Sequence, residues 1–150
     1  MHTIDTMKDI VNLRIHIAPV GFEIDRIIIP AVRMKADKVW LIAHENVADD
    51  KANKYRQKIE KELEEKGIKT EIAYANRLLL FPIIKAVTEI IFKERKNDIY
   101  VNVATGSKIH AIGCMMACML FDDREKIHPF YAQAEKYPEY EGTAQQTYGV

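Results

Sequence analysis

The sequence carries no excess of either charge: Lys plus Arg and Asp plus Glu number 22 each, so the formal net charge is zero. That balance excludes an overall field able to hold nucleic acid non-specifically, and any charged ligand must be recognised locally. Cysteine is scarce. Cys114 and Cys118 fall on one expected helix without further ligands nearby, which reads as reduced core residues of a cytosolic protein and not as a zinc site. No apolar run approaches the ~18 residues of a membrane span. Met1 to Ile10 mixes Asp5, Lys8 and Asp9 with short apolar residues and has no signal-like block, so a cytoplasmic protein is expected. Two nucleotide-binding fingerprints are also missing. The first turn has only Gly21 where a Gly-x-Gly-x-x-Gly pattern would need three glycines, and Gly106-Ser107-Lys108 lacks the spaced glycines and Lys-Ser/Thr order of a P-loop. Without repeats, low-complexity tracts or an internal linker, residues 1–150 read as one domain.

What is present is a regular alternation of strands and helices in a chain that is 48% hydrophobic. Val11 to Ala18 reads as a strand closed by Pro19-Val20-Gly21. Phe22 to Met34 has helical spacing, with Pro30 expected to kink it or to mark a short first segment. The strand Lys38 to Ala43 precedes a charged helix, Asp49 to Lys66, which Gly67 stops. The strand Ile68 to Ala73 precedes a strongly apolar helix, Leu78 to Lys96, with Pro82 in its first turn. Ile99 to Val103 is a buried strand, followed by the turn Ala104-Thr-Gly-Ser-Lys108 and a nearly all-apolar helix, Ser107 to Phe121. Such a helix is expected to be covered on most sides, in the monomer or by another subunit. Ile127 to Ala132 supplies a fifth strand, and Gln145 to Val150 an additional C-terminal edge strand.

This pattern predicts an α/β fold, a Rossmann-like three-layer sandwich around a mainly parallel sheet in the order 3-2-1-4-5. In such sheets ligands bind beyond the carboxyl ends of the strands where the winding reverses, between the first and fourth. Those ends are Pro19-Val20-Gly21-Phe22 and Thr105-Gly106-Ser107-Lys108. In the second turn Thr105 is the expected N-cap. Lys108 opposes the helix macrodipole unless an anion sits there, and amides, hydroxyls and ammonium would then converge on a phosphate. On the rim, Arg77 is the best candidate to pair with a phosphate or stack on a base. His44, Glu45, Asn46, Asn76, Gln133 and Glu135 also lie at strand ends, where polar residues commonly just terminate structure. His110 ranks below Lys108, one face round the helix, and His16 and Asn102 read as core hydrogen-bonding residues.

The first strand with Pro19-Val20-Gly21-Phe22, the turn Asn102-Val-Ala-Thr-Gly-Ser-Lys108 and the helix Ile109 to Met119 together resemble the CARF domains, the CRISPR-associated Rossmann-fold sensors. The likeness is nearest to the archaeal branch in which such a domain precedes a winged helix-turn-helix in a transcription regulator. The resemblance implies a homodimeric antiviral sensor that binds cyclic oligoadenylate, with cyclic tetra-adenylate favoured and no other cofactor or metal. Val20, Gly21 and Phe22 would line the first loop, while Thr105, Gly106, Ser107 and Lys108 would contact phosphate or ribose. The commonest family turn has two adjacent glycines before Thr and Lys; here Ser107 follows a single glycine. Some members cleave the ring by attack of a ribose 2′-hydroxyl on the neighbouring phosphate, which gives the alternative of a metal-independent ring nuclease using Ser107 and Lys108. A third reading, a nucleotide-dependent Rossmann-like enzyme, rests on Glu45 near a ribose position. DNA would be contacted only through a winged helix domain, absent from this chain.

Overall fold

The computed structural model of the chain describes residues 12–136 and 147–148. The readings of Met1 to Val11, and of the tail apart from Thr147 and Tyr148, therefore fall outside the described residues. Five strands, β1 (Arg14–Pro19), β2 (Lys38–Ala43), β3 (Lys69–Tyr74), β4 (Asp98–Asn102) and β5 (Ile127–Phe130), form one sheet in the order β3-β2-β1-β4-β5. Every neighbouring pair is parallel, so the expected order holds. Helices α1 (Asp25–Arg33), α2 (Asn53–Glu65), α3 (Leu80–Lys93) and α4 (Lys108–Leu120) make the crossovers.

Both faces of the sheet are covered, which is why its strands read as near-continuous apolar runs. In β1, side chains alternate between faces. Ile15 and Ile17 pack with Ile83, Val87 and Cys114 from α3 and α4, whereas Ala18 joins Ile27, Ile59 and Leu63 from α1 and α2. Where α3 and α4 meet, a Cβ on Gly113 would lie 2.7 Å from Ile83 Cγ2, so the absence of a side chain sets the closeness of that packing.

On β2, Trp40 Nε1 donates to Glu94 (2.7 Å) and Lys38 Nζ, at the first residue of the strand, pairs with the same carboxylate (2.6 Å). Burial alone would raise the Glu94 pKa, but hydrogen bonds from Lys38, Trp40 and Asn97 hold it below the usual carboxylate range. Glu94→Ala is expected to lower the unfolding free energy by about 1–3 kcal/mol in urea titrations, because it strands the indole N–H and the ammonium.

Two elements depart from the sequence reading. Thr147–Tyr148 (β7) does not extend the main sheet; it pairs antiparallel with β6 (Ala134–Lys136) as a separate ribbon. A parallel addition to the sheet needs a crossover of a dozen or more residues, whereas a short return satisfies antiparallel pairing. Helix α4 buries only one face, with His110, Gly113, Cys114, Ala117 and Cys118 inward. Ile112, Met115, Met116, Met119 and Leu120 remain exposed, Met119 at 73%.

Candidate functional site

The two turns at the centre of the sheet touch. Val20 N donates to Ile42 O (3.0 Å), prolonging the β1–β2 ladder by one residue and fixing where Gly21 begins. A Cβ on Gly21 would stand 3.1 Å from the Gly106 Cα, tighter than an ordinary van der Waals contact, so the backbones of the two loops lie against each other. Gly106 itself has φ +76°, a left-handed conformation that favours glycine. The meeting of these loops beyond the strand ends is the arrangement expected at a topological switch point.

A third segment is tied to the same place by Pro30. The ring does not break α1, which runs through it. Because proline has no N–H, the carbonyl four residues back, on Arg26, loses its helical partner. Asn102 Nδ2, at the end of β4, donates to that carbonyl at 3.0 Å. The same side chain accepts from Ala104 N at 2.9 Å, and Arg26 Nη1 returns a bond to Ala104 O at 3.0 Å. Asn102 is thus the satisfied buried amide its position suggested. His16 is not satisfied in the same way: its Nε2 is buried without a partner.

The start of α4 corrects the expected cap. Thr105 is buried with its hydroxyl unpartnered, and the helix is capped two residues later by Ser107. The left-handed step at Gly106 delays the helix, leaving Ser107 in the extended conformation of an N-cap. Its hydroxyl accepts from His110 N (3.4 Å), while Ser107 N donates to His110 Nδ1 (3.0 Å). These reciprocal bonds form a capping box with histidine in the place usually held by Glu or Gln.

Above the turns lies a cavity of about 310 Å³. Among the residues expected at the site, Val20, Gly21, Phe22, Arg77, Gly106 and Ser107 line it. Thr105 and Lys108 do not: Thr105 is covered by the turn, and Lys108 is exposed at the first helical position. His110, which the sequence placed behind Lys108, is in the wall, as are His44 and Asp50. The helix explains the exchange: with ~3.6 residues per turn, positions 108 and 110 diverge by roughly 200°, so they cannot face the same space. Ser107-x-x-His110 has capping-box spacing, the one signal in the sequence that could have brought the imidazole forward.

Burial, and after it the positive charge of Arg77, pushes His110 down to about 4. The ring is therefore neutral at pH 7. Across the cavity, His44 Nδ1 accepts from Arg77 N (3.1 Å), and Arg77 Nε is buried without a hydrogen-bond partner. Phe22, 57% exposed, stands edge-on to Tyr55 at 5.5 Å and offers an aromatic face at the mouth. Among the described residues, no group of three or more His, Cys, Asp or Glu side chains is placed to hold a metal ion. The wall therefore offers an anion the donors of Arg77, His44 and His110, sets the carboxylates Glu23 and Asp50 beside them, and carries an aromatic ring at the entrance.

A family model described as "HFX_2341_N:-like, N-terminal" matches residues 14–137. The chain belongs to that family. A relative of this HFX_2341_N:-like domain, "Uncharacterized protein MJ1513" of Methanocaldococcus jannaschii, is 37% identical over 128 residues, covering 81% of this chain and 38% of its own length. The chain thus spans well under half of that relative. Among solved structures, Can2 from Sulfobacillus thermosulfidooxidans in complex with cyclic tetra-adenylate aligns with a TM-score of 0.65 at 16% identity, over 79% of this chain and 31% of that one. Enterococcus italicus Csm6 bound to cyclic hexa-2′-fluoro-hexa-dAMP aligns at 0.62 and 14% identity, over 87% of this chain and 36% of that one. The likeness is one of fold alone, a Rossmann-like five-stranded parallel sheet with its flanking helices.

Proposed function

We propose that residues 1–150 act as one ligand-sensing domain for cyclic oligoadenylate, working as a homodimer in CRISPR-linked antiviral defence. The observation that carries this reading is the contact of the Gly21 and Gly106 turns beneath a cavity whose wall includes Arg77, His44 and His110. The fold shared with proteins solved with cyclic oligonucleotides supports it. Size argues for two copies. The cavity sits at the small end of the ~300–1,000 Å³ range of ligand pockets, so one copy encloses only part of a four-nucleotide ring. The exposed apolar row on α4, Ile112, Met115, Met116 and Met119, gives a second copy a surface to cover. We assign the output to transcription regulation, as in the archaeal branch the sequence resembles, with DNA contacted by a domain other than this one.

Thermal unfolding with cyclic tetra-adenylate and cyclic hexa-adenylate tests the reading. A ring at 100 times its dissociation constant stabilises the fold by about 2.7 kcal/mol, which for a domain of this size raises Tm by roughly 5–10 °C. Absence of a shift with every ring size defeats it. Ring opening is the second reading, favoured by the placement of Ser107 in the cavity wall. Linear products formed in the presence of chelator would establish it, and cleavage unaltered in Lys108→Ala would remove the lysine from that chemistry.

A further inference from the structure

His44 and His110 approach the cavity from different elements, one after β2 and one in α4, yet each is held in the same way. The Nδ1 of His110 accepts from Ser107 N at 3.0 Å, and the Nδ1 of His44 accepts from Arg77 N at 3.1 Å. A backbone N–H can only donate, so each Nδ1 must be unprotonated, and the one proton of the neutral ring must sit on Nε2. Neither Nε2 bonds to a described residue, although His110 is only 4% exposed. Both rings line the cavity together with Arg77, whose Nε is buried and unpartnered. Gly106 is what admits the His110 ring, because a Cβ at that position would lie 2.6 Å from Nδ1.

We propose that His44 and His110 are a matched pair of uncharged Nε2–H donors which, flanking the Arg77 guanidinium, hold the non-bridging oxygens of a phosphodiester in the cavity. The proposal rests on the cyclic oligoadenylate reading for the identity of the phosphodiester, not for the state of the rings. It has a chemical consequence. With Nδ1 occupied by an amide and Nε2 carrying the proton, neither imidazole has a lone pair free to accept the proton of a ribose hydroxyl. In ring opening they would stabilise charge on phosphate oxygens without acting as the base.

Long-range proton–nitrogen correlation spectra of the ¹⁵N-labelled protein read the tautomers directly. At pH 7 both rings are expected to show protonated Nε2 and bare Nδ1; the reverse tautomer or an imidazolium at His110 overturns the proposal. Addition of cyclic tetra-adenylate should move both Nε2–H signals. If the ring fails to bind but inorganic phosphate moves them, the donor pair stands and the ring reading falls; if neither moves them, the donor pair falls. In binding titrations with the ring, or with phosphate if only that binds, His110→Ala should lose about 10-fold or more in affinity, the scale of a hydrogen bond to a charged group. His110→Gln should stay within about 3-fold of wild type, since glutamine at this capping-box position both accepts from Ser107 N and donates an amide N–H. Equal losses in the two variants would overturn the donor role, since glutamine keeps the cap and still offers an N–H to the cavity.

Discussion

Taking the protein from pH 7 to pH 4.5 is expected to lower its unfolding free energy by about 5 kcal/mol, roughly half from His16 and half from His110. Both rings have pKa values pushed to about 4 from 6.5, mainly by burial, with Arg14 adding to the effect on His16 and Arg77 on His110. The folded value lies below the unfolded one, so between these limits the unfolded chain binds more protons. The stability these rings contribute is complete above about pH 6.5 and is lost progressively as the pH falls to about 4. His16 is the cleaner probe. It packs against Tyr100 and Phe130, with ring centroids 5.4 and 5.3 Å away, and is not among the residues that line the cavity. Urea unfolding at several pH values should show the slope, and His16→Leu should flatten it by about half. A stability curve level from pH 7 to 4.5 would contradict the burial assigned to both rings.

Gly106→Ala is expected to be the most damaging single substitution at the site. The position combines φ +76° with a neighbourhood in which a Cβ would meet His110 Nδ1 at 2.6 Å and Pro19 Cβ at 2.9 Å. A left-handed alanine alone costs about 1–2 kcal/mol, and displacing the imidazole or the β1 turn adds overpacking of similar size, for about 2–4 kcal/mol in all. Ring affinity should fall by about 100-fold or more, because the donor arrangement in the wall moves with the imidazole. Gly67→Ala is the matched control: it shares φ +76° but has nothing within 4 Å of a Cβ. It should show the backbone strain alone and leave ring binding intact. Equal destabilisation by the two substitutions would mean that the seat beneath His110 is not tight.

The sheet order was legible because its cause is local: strands buried on both faces separated by helices leave few alternatives to a parallel, doubly covered sheet. From that order followed the meeting of the turns at Gly21 and Gly106, residues far apart in the chain. The details within the turn were less legible. Thr105 and Ser107 are both good capping residues, and only the left-handed step at Gly106 decides between them. Lys108 attracted attention by its charge, yet position along a helix face, not charge, selects what reaches the cavity. For α4, an almost uniform apolar composition conceals which side is covered. The small residues Gly113, Cys114 and Ala117 mark the inward face, and the long side chains of Met115, Met116 and Met119 the outward one.

The acceptor that Pro30 releases on Arg26 is shared property of a helix and a loop. An alanine at position 30 would bring back a competing amide, and an aliphatic residue at position 102 would leave the freed carbonyl with nothing to receive. The two sites are therefore expected to change in concert among descendants of this sequence, so that a double replacement is tolerated better than the sum of its halves. A gap in one helical ladder becomes a rivet between crossover and crevice.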